Sequence, residues 1–339
     1  MKRILITGAS GFVGSHLVEE ILKTTDWEIV AMVRLSTIGD MHRLTTQDVM
    51  GKEANRVKVV YHDLKNAINE AMDARIGHID YVAHLAANSH VDRSITHPKE
   101  FFEDNVMGTV NLLEWARKRQ QSGKIEYGHI EKFINFGTDE VFGPAPDNYD
   151  YKEDDSHNPS NPYSASKAGQ LDAGYSYWIT YKLPIITTHT MNIFGERQNA
   201  EKLVPKCIRY INEGKVIPIH ASLDERGAVL EVGKRHWLHA RNAANAVVFL
   251  LQKGVIGQRY NIVGDIELDN AQVATTIGKI LGKEPKLEFV DFHKTRPGHD
   301  RRYALDGSKI KELGWIPPVD FEESMKKMID WTLKHPEWL

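Results

Sequence analysis

Short apolar runs alternate with amphipathic helical patterns along the first 190 residues. After the first run, apolar side chains such as Val13, Leu17 and Ile21 recur at helical spacing. Strands that alternate with helices predict an α/β fold with a doubly wound parallel sheet covered on both faces. The runs that predict strands are RILITG (3–8), WEIVAMVR (27–34), VKVVYHDL (58–65), YVAHLAA (81–87), KFINFGT (132–138) and PIITTHT (184–190).

The pattern changes beyond residue 190. Helical stretches there flank a segment of loops and short strands at 216–239, and the run near 258–264 reads as a strand that returns to the main sheet. We therefore predict a first domain over 1–190 and a smaller C-terminal α/β lobe over 191–339. A cleft between two such units is the default place for a binding site.

Composition narrows the class of protein. The formal charge of −3 is nearly balanced, which indicates neither a nucleic-acid nor a membrane partner. A single cysteine, Cys207, fits a reducing compartment, and no leader or membrane-spanning run is visible, so we expect a soluble cytoplasmic protein. The 16 histidines show no metal-binding spacing, and we predict no metal site.

A glycine-rich turn joins the first strand to the first helix. GASGFVG places Gly8, Gly11 and Gly14 at the spacing G-x-x-G-x-x-G, with Phe12 and Val13 opening the helix. Glycines permit a tight turn and close backbone approach, and a helix N-terminus offers free N–H groups to a pyrophosphate. At this place in the pattern, the turn predicts a Rossmann-type domain that binds NAD(P).

The end of the second strand bears on the choice between NAD and NADP. Val33 stands where an NAD-specific site usually has an acidic residue, and Arg34 follows it. An arginine suits a 2′-phosphate, so the sequence leans towards NADP, with a solvated strand end the alternative explanation of Arg34. Asp63 and Leu64 are candidates to cover the adenine, with Asp63 as a helix cap the alternative. Ala86 is a further cofactor candidate.

A tyrosine and a lysine follow in the order that hydride-transfer chemistry needs. Tyr163 and Lys167 form a Y-x-x-x-K pair on one face of a predicted helix, after a strand that ends in Thr138. The lysine and a positive nicotinamide favour the phenolate and lower the tyrosine pKa. Tyr163 then takes a hydroxyl proton as the hydride leaves the substrate, and Lys167 also grips the nicotinamide ribose.

Four stretches together carry a family resemblance. The chain resembles extended short-chain dehydrogenase/reductases that act on nucleotide sugars, and more narrowly the dTDP-glucose 4,6-dehydratases, over nearly its full length. The stretches are GASGFVGSHL, HLAANSHVDRSITHPKEFFEDNVMGT, GTDEVFG with NPYSASKAG, and RPGHDRRYALD.

The resemblance implies a lyase that converts an NDP-hexose into its 4-keto-6-deoxy form. Thr138, Tyr163 and Lys167 would oxidise carbon 4, Glu140 would take the proton from carbon 5, and Asp139 would protonate the departing 6-hydroxyl. The hydride then returns to carbon 6. An NDP-sugar 4-epimerase or related oxidoreductase is the alternative, and the acid–base pair disfavours it. Otherwise Asp139 only caps the turn and Glu140 faces solvent.

The resemblance also names residues for the substrate. Arg235 and Arg296 would bind the diphosphate, and Asn192 the sugar or its adjoining phosphate. Asn88, Ser89 and His90 follow the fourth predicted strand and would lie near the nicotinamide and sugar, with an uninvolved polar loop the alternative.

Some positions depart from the family pattern. Asn88 stands where the family commonly has glutamate, and the segment before Arg235 is longer than usual. The base therefore stays open among thymine, uracil, guanine and cytosine.

The resemblance further implies a homodimer built through helices around 100–119 and 164–181. Leu112, Leu113, Tyr175 and Trp178 are apolar positions there that fit such a contact, or equally the subunit's own core.

Overall fold

A computed structural model describes residues 1–34, 40–46, 48–123, 128–291 and 301–339. The strands are β1 Arg3–Thr7, β2 Glu28–Val33, β3 Val57–Tyr61, β4 Tyr81–His84, β5 Lys132–Phe136, β6 Ile185–Thr190, β7 Asn192–Phe194, β8 Val216–Leu223, β9 Val229–Val232, β10 Lys234–His239, β11 Arg259–Ile262, β12 Glu267–Asp269, β13 Lys286–Asp291 and β14 Arg302–Tyr303.

The helices follow the strands along most of the chain. They are α1 Phe12–Thr24, α2 Met41–Thr45, α3 Glu70–Ile76, α4 Val91–Thr96, α5 Pro98–Phe101, α6 Gly108–Ser122, α7 Pro162–Tyr181, α8 Leu203–Glu213, α9 Ala240–Lys253, α10 Asn270–Leu281, α11 Ser308–Glu312 and α12 Phe321–Lys334. A π-helix spans Phe102–Met107, and short 3₁₀ helices span Gly51–Arg56, Asp139–Phe142 and Pro336–Trp338.

The main sheet is the one that the apolar runs predict. Within the described residues its seven strands are all parallel and run in the order β11–β6–β5–β4–β1–β2–β3. The strand order reverses between β1 and β4, which is the place where open α/β sheets bind their ligands. The doubly wound Rossmann-type fold is therefore confirmed.

Alternate side chains of the strands point to opposite faces of the main sheet and pack into two separate hydrophobic cores. Ile4 and Ile6 of β1 pack under α1 and α9, whereas Leu5 packs on the opposite face under α6. Leu112 and Leu113 belong to this second core and are fully buried. Of the two alternatives for Leu112 and Leu113, the structure therefore supports packing in the subunit's own core, because a side chain buried there cannot also contact a partner.

The C-terminal part builds smaller sheets around a third core. β12, β10 and β14 pair with β7 added at β10, and β13, β8 and β9 form a separate three-stranded sheet. Arg302 ties this part to the loop before α7, because its guanidinium contacts Glu267, Asp150 and the carbonyls of Pro146 and Tyr149. The division at residue 190 stays a prediction, although β11 does lie beside β6 in the main sheet.

Candidate active site

The acid–base pair lies at the carboxyl edge of the sheet. β5 ends just before Thr138, which caps the short 3₁₀ helix Asp139–Phe142 by accepting the N–H of Glu140 at 3.4 Å. The hydroxyl of Thr138 donates to Oδ1 of Asp139 at 3.0 Å. A strand end followed by one tight turn thus places the three side chains next to one another.

Asp139 is buried without a close cationic partner among the described side chains. Burial raises the pKa of its carboxyl to about 6, because desolvation outweighs the hydrogen bond from Thr138 and the more distant charge of Arg235. A carboxyl with this pKa is mostly protonated below about pH 6 and keeps a minor protonated fraction at neutral pH. Such a group is suited to donate a proton to a leaving hydroxyl.

Tyr163 and Lys167 stand at the start of α7, one turn apart. Asn161 caps this helix by accepting the N–H of Ser164 at 2.9 Å, and proline occupies the first turn, where its missing N–H costs nothing. Lys167 donates to the carbonyl of Phe136 at 2.8 Å and to Gln170 at 2.7 Å. These bonds fix the ammonium against the end of β5.

Protonation of this pair follows from burial. Desolvation lowers the pKa of Lys167 to about 7. Burial, together with the nearby charges of Glu140 and Asp139, raises the pKa of Tyr163, while its hydrogen bond with Thr138 lowers it. The chain by itself therefore does not produce the lowered tyrosine pKa that the sequence predicts.

The glycine-rich turn packs too tightly for side chains. A Cβ at Gly14 would lie 2.1 Å from the carbonyl oxygen of Gly8, and one at Gly8 would lie 2.8 Å from the backbone of Ala86. Gly8 also has φ +70°, which glycine adopts readily. Gly11 stands at the N-cap of α1 and supplies no capping side chain, so the first N–H groups of the helix remain for a ligand. These features fit a dinucleotide pyrophosphate.

One cavity of about 530 Å³ collects most of the predicted site residues. Its volume suits a small-molecule or cofactor site. The predicted residues that line it are Gly8, Gly11, Phe12, Val13, Gly14, Ser89, His90, Thr138, Asp139, Glu140, Tyr163, Lys167, Asn192 and Arg235.

A second, smaller pocket of about 120 Å³ lies beside the end of β2. Gly8 and Gly11 line both pockets, which makes the two neighbours. The other predicted cofactor residues that line the small pocket are Arg34, Asp63, Leu64 and Ala86. Every predicted cofactor residue therefore lines one or both of the pockets.

Arg34 does not extend freely into solvent. Its guanidinium contacts both carboxylate oxygens of Asp104, at 2.7 and 3.3 Å, and lies 3.5 Å from Asp63. Asp63 also accepts the N–H of Lys65 at 3.0 Å, so it closes a local turn while it lines the pocket. The sequence singled out neither Asp104 nor Lys65.

The far end of the large cavity is formed by the C-terminal part. Arg235 lies over the ring of Tyr303, 5.5 Å from its centroid, and its Nε has no hydrogen-bond partner within the described part of the chain. Tyr303 in turn reaches Oε2 of Glu140 at 3.5 Å. The cationic end of the cavity is thus connected to the acid–base pair through one aromatic side chain, which sequence reasoning missed.

One predicted substrate residue, His90, has a structural contact as well. His90 caps α4 by accepting the N–H of Arg93 at 3.2 Å, and it lines the large cavity together with Ser89. Arg296 lies outside the described residues. In the part of the chain that the structure describes, no cluster of three or more metal-ligating side chains occurs, and no helix is long and apolar enough to cross a membrane.

Comparisons with known proteins match this geometry over nearly the full chain. The dTDP-glucose 4,6-dehydratase of Escherichia coli is 36% identical over an alignment of 355 positions, gaps included. The alignment covers 99% of this chain and 95% of that protein. The dTDP-glucose 4,6-dehydratase DesIV of Streptomyces venezuelae, solved with NAD bound, superposes with a TM-score of 0.86 at 30% identity and covers 99% of this chain and 98% of its own.

A second solved relative and a family model extend the match. The dTDP-glucose 4,6-dehydratase of Bacillus anthracis, solved in complex with NAD, gives a TM-score of 0.84 at 30% identity, covering 100% of this chain and 98% of its own. The family model described as GDP-mannose 4,6 dehydratase matches residues 5–328. The resemblance seen in the sequence is confirmed: this chain belongs to the GDP-mannose 4,6-dehydratase family of extended short-chain dehydrogenase/reductases.

Proposed function

We propose that this chain is an NAD(P)-dependent NDP-hexose 4,6-dehydratase, which turns its substrate into an NDP-4-keto-6-deoxyhexose. The observation that carries the proposal is that Asp139 and Glu140 line the same cavity as Tyr163 and Lys167. Oxidation at carbon 4 requires only the second pair with Thr138. An enzyme that must also eliminate water needs a base and an acid within reach of the same sugar.

Oxidation is the task of the helix pair. Tyr163 takes the proton of the 4-hydroxyl. The hydroxyl of Thr138 hydrogen-bonds to Tyr163 and would hold the 4-oxygen beside it. Lys167, fixed by Phe136 and Gln170, holds the nicotinamide ribose and places a positive charge near the phenolate when it is protonated. A bound nicotinamide would supply the hydride-transfer chemistry between carbon 4 and carbon 6.

Elimination is the task of the acidic pair. The 4-keto group acidifies the proton on carbon 5, which Glu140 removes. After the hydride reaches carbon 6, the protonated Glu140 returns a proton to carbon 5. Asp139, with a pKa raised to about 6 by burial, supplies the proton that lets the 6-hydroxyl leave as water. Both residues line the large cavity, so the base and the acid can reach the same sugar.

The cofactor would be held along the first half of the sheet. Gly8, Gly11 and Gly14 form the cradle for the pyrophosphate, and Phe12 and Val13 contribute the start of α1. The adenosine would occupy the small pocket, with Leu64 and Ala86 as apolar walls. The leaning towards NADP depends on Arg34 alone, whose guanidinium is already paired with two carboxylates.

The substrate would lie across the cavity towards the C-terminal part. Arg235 presents an unpartnered, buried Nε, which suits a diphosphate oxygen. Asn192, Ser89 and His90 line the same cavity as Arg235 and the catalytic residues and would contact the sugar. Arg296 stays a candidate for the diphosphate. Because several relatives are named dTDP-glucose 4,6-dehydratases, dTDP-glucose is the first substrate to test.

We also propose a homodimer, made through α7 and the helices around 100–119. Among the described residues, exposed apolar side chains on these segments include Phe102, Met107, Tyr175 and Ile179. Sedimentation should give a dimer, and Ile179→Glu should shift it towards the monomer, because a charge would be buried without a partner. A wild-type monomer at working concentrations would contradict this contact. A cytoplasmic location stays a prediction.

The function is tested by proton NMR in deuterated water with dTDP-, UDP-, GDP- and CDP-hexoses. A dehydratase gives a 6-methyl signal with one deuterium at carbon 5, since the proton that Glu140 removes exchanges with solvent. The nucleotide that reacts identifies the base. Inversion at carbon 4 without a methyl signal would assign the chain to the 4-epimerases instead, and would remove the roles given to Asp139 and Glu140.

A further inference from the structure

The small pocket beside β2 contains a compact set of fixed charges. Arg34 and Lys65 contribute two positive charges, and Asp63 and Asp104 contribute two negative charges, so these four side chains sum to zero. In a doubly wound sheet, the adenosine ribose lies at the end of the second strand, and Arg34 directly follows β2. These side chains therefore surround the region where NAD and NADP differ.

Asp104 holds Arg34 in a two-pronged pair. The distances are 2.7 Å between Nη1 and Oδ1 and 3.3 Å between Nη2 and Oδ2, and the side chain of Asp104 is only 8% exposed. Lys65 adds a contact of 3.5 Å to Oδ1 of the same carboxylate. Pairs of this geometry are among the stronger charge-assisted hydrogen bonds. The fork of Arg34 is thus engaged before any cofactor binds.

The π-helix Phe102–Met107 fixes Asp104 in this place. Its neighbour Asn105 accepts the N–H of Asn88 at 2.7 Å and donates to the carbonyl of Asn88 at 3.0 Å and to Ser166 at 2.9 Å. Asn105 is fully buried, so this turn of helix is anchored to the loop after β4 and to α7. π-Helical turns frequently occur at functional sites.

A buried polar atom at the same pocket points to a ligand. Oδ1 of Asn88 has no hydrogen-bond partner within the described residues, although Asn88 is only 3% exposed and lines the pocket. An unsatisfied buried acceptor is costly, and a ligand hydroxyl or amino group satisfies it. The ribose and adenine of a dinucleotide carry such donors.

The charges of this pocket disfavour a 2′-phosphate and accept a 2′-hydroxyl. The phosphate carries roughly two negative charges and would face two carboxylates, unless Arg34 left Asp104. Leaving would strip a nearly buried carboxylate of its main partner, which is strongly unfavourable. A neutral hydroxyl needs no such rearrangement and donates to a carboxylate, as the acidic residue of NAD-specific sites normally allows. In this chain that strand position is the buried, apolar Val33.

We infer that Asp104 selects NAD over NADP, by holding Arg34 and by presenting the carboxylate that the end of β2 lacks. This inference rests on the cofactor part of the proposed function. The role of Arg34 is then the opposite of the one that the sequence suggested. Arg34 keeps Asp104 in position and does not bind a 2′-phosphate. Asp104 and Arg34 thus act as one specificity element, contributed by the π-helix and the strand end.

The test is the affinity for NAD and for NADP of protein freed of bound cofactor, measured by calorimetry without any sugar. The wild-type protein should bind NAD at least about tenfold more tightly than NADP, since close charge pairs at binding sites couple by more than that factor. Asp104→Asn keeps the shape of the side chain and releases Arg34. It should move the ratio of the two affinities towards NADP by at least about tenfold.

Glu103→Gln is the matched control. It removes the same charge from the adjacent residue of the π-helix, whose half-exposed side chain pairs with Lys99 at 3.4 Å and does not line the small pocket. This variant should leave the ratio of affinities unchanged. An equal shift in Glu103→Gln and Asp104→Asn would mean that general charge, and not the pocket, sets the preference, which overturns the inference.

The double variant Arg34→Gln/Asp104→Asn covers the case in which Asp104→Asn does not fold, because it removes both charges together. It should retain only part of the preference for NAD, with NADP bound less well than in Asp104→Asn. A wild-type protein that prefers NADP, that binds neither dinucleotide, or whose preference survives both substitutions would overturn the inference. Failure to form a deoxysugar with the selectivity intact would instead remove the proposed dehydratase alone.

Discussion

The two ends of the cofactor cleft differ in whether their charged side chains are paired. At the catalytic end, Asp139 and Lys167 are buried with few compensating charges, and desolvation shifts both pKa values towards neutrality, to about 6 and about 7. At the ribose end, Arg34 and Asp104 face each other directly, and their hydrogen bond raises the pKa of Arg34 further above neutrality.

This difference separates proton transfer from recognition. A buried group without an ion partner changes its protonation state easily near neutral pH, which is what an acid or base requires. A paired group keeps its charge at every working pH and so offers a constant surface to a ligand. Substitutions at the catalytic end should therefore affect rate and pH dependence, whereas those at the ribose end should affect affinity.

Tyr163→Phe should give the largest effect. Loss of the phenol removes the proton acceptor for the first step, and we expect turnover to fall by about 10³-fold or more. Cofactor affinity should stay close to wild type, because the ring remains in place. Tyr149→Phe, which alters an exposed tyrosine bonded to Asp155, is the control and should turn over normally. A Tyr163→Phe enzyme with near-normal turnover would contradict the assigned role.

Glu140→Gln should separate oxidation from elimination. The amide cannot take the proton from carbon 5, so elimination should slow by about 10²- to 10³-fold while oxidation at carbon 4 continues. Absorbance of reduced nicotinamide should then accumulate in a stopped-flow experiment with substrate. Normal formation of the 6-methyl product by this variant would show that the base lies elsewhere.

Asp139→Asn should change how stability depends on pH. The pKa of Asp139 is raised in the folded state from 3.8 to about 6, so the folded protein binds a proton more tightly than the unfolded chain does. Stability from this group is therefore lost as the pH rises from about 4 to about 6, by on the order of 3 kcal/mol. Urea unfolding should show the variant more stable than wild type above about pH 6, and equal near pH 4. A difference that does not vary with pH would contradict the burial argument.

Lys65→Gln should have the smallest effect. Its ammonium lies 3.5 Å from Asp104 and its side chain is 38% exposed, so solvent screens the pair. We expect the affinity for NAD to change by less than about threefold in calorimetry. A loss of more than tenfold would mean that Lys65 binds the cofactor directly, and that the ribose end is not organised around the Arg34–Asp104 pair.

The features that the sequence predicted correctly each depend on a pattern of neighbouring residues. The apolar strands, the glycine turn, the Tyr163–Lys167 spacing and the strand end at Thr138 are each contained within a few residues. The fold then places them together, because carboxyl ends of parallel strands share one edge of the sheet. Family resemblance supplied the roles of Asp139 and Glu140, which spacing alone leaves open.

The features that were missed depend on contacts between distant residues. Asp104 meets Arg34 across 70 positions, and Tyr303 approaches Glu140 across 163. No local pattern predicts such a pair. The place of Leu112 and Leu113 stayed open for a related reason, since an apolar face of a helix looks the same in the sequence whether it covers its own sheet or a second subunit.

The central claim is that one site oxidises carbon 4, eliminates water and returns the same hydride to carbon 6. The most direct test uses an NDP-hexose that carries deuterium on carbon 4, turned over in ordinary water with no added reductant. The account predicts that the deuterium appears in the 6-methyl group of the product, as detected by NMR and mass spectrometry. Deuterium found again on carbon 4 of a sugar inverted at that centre would contradict it.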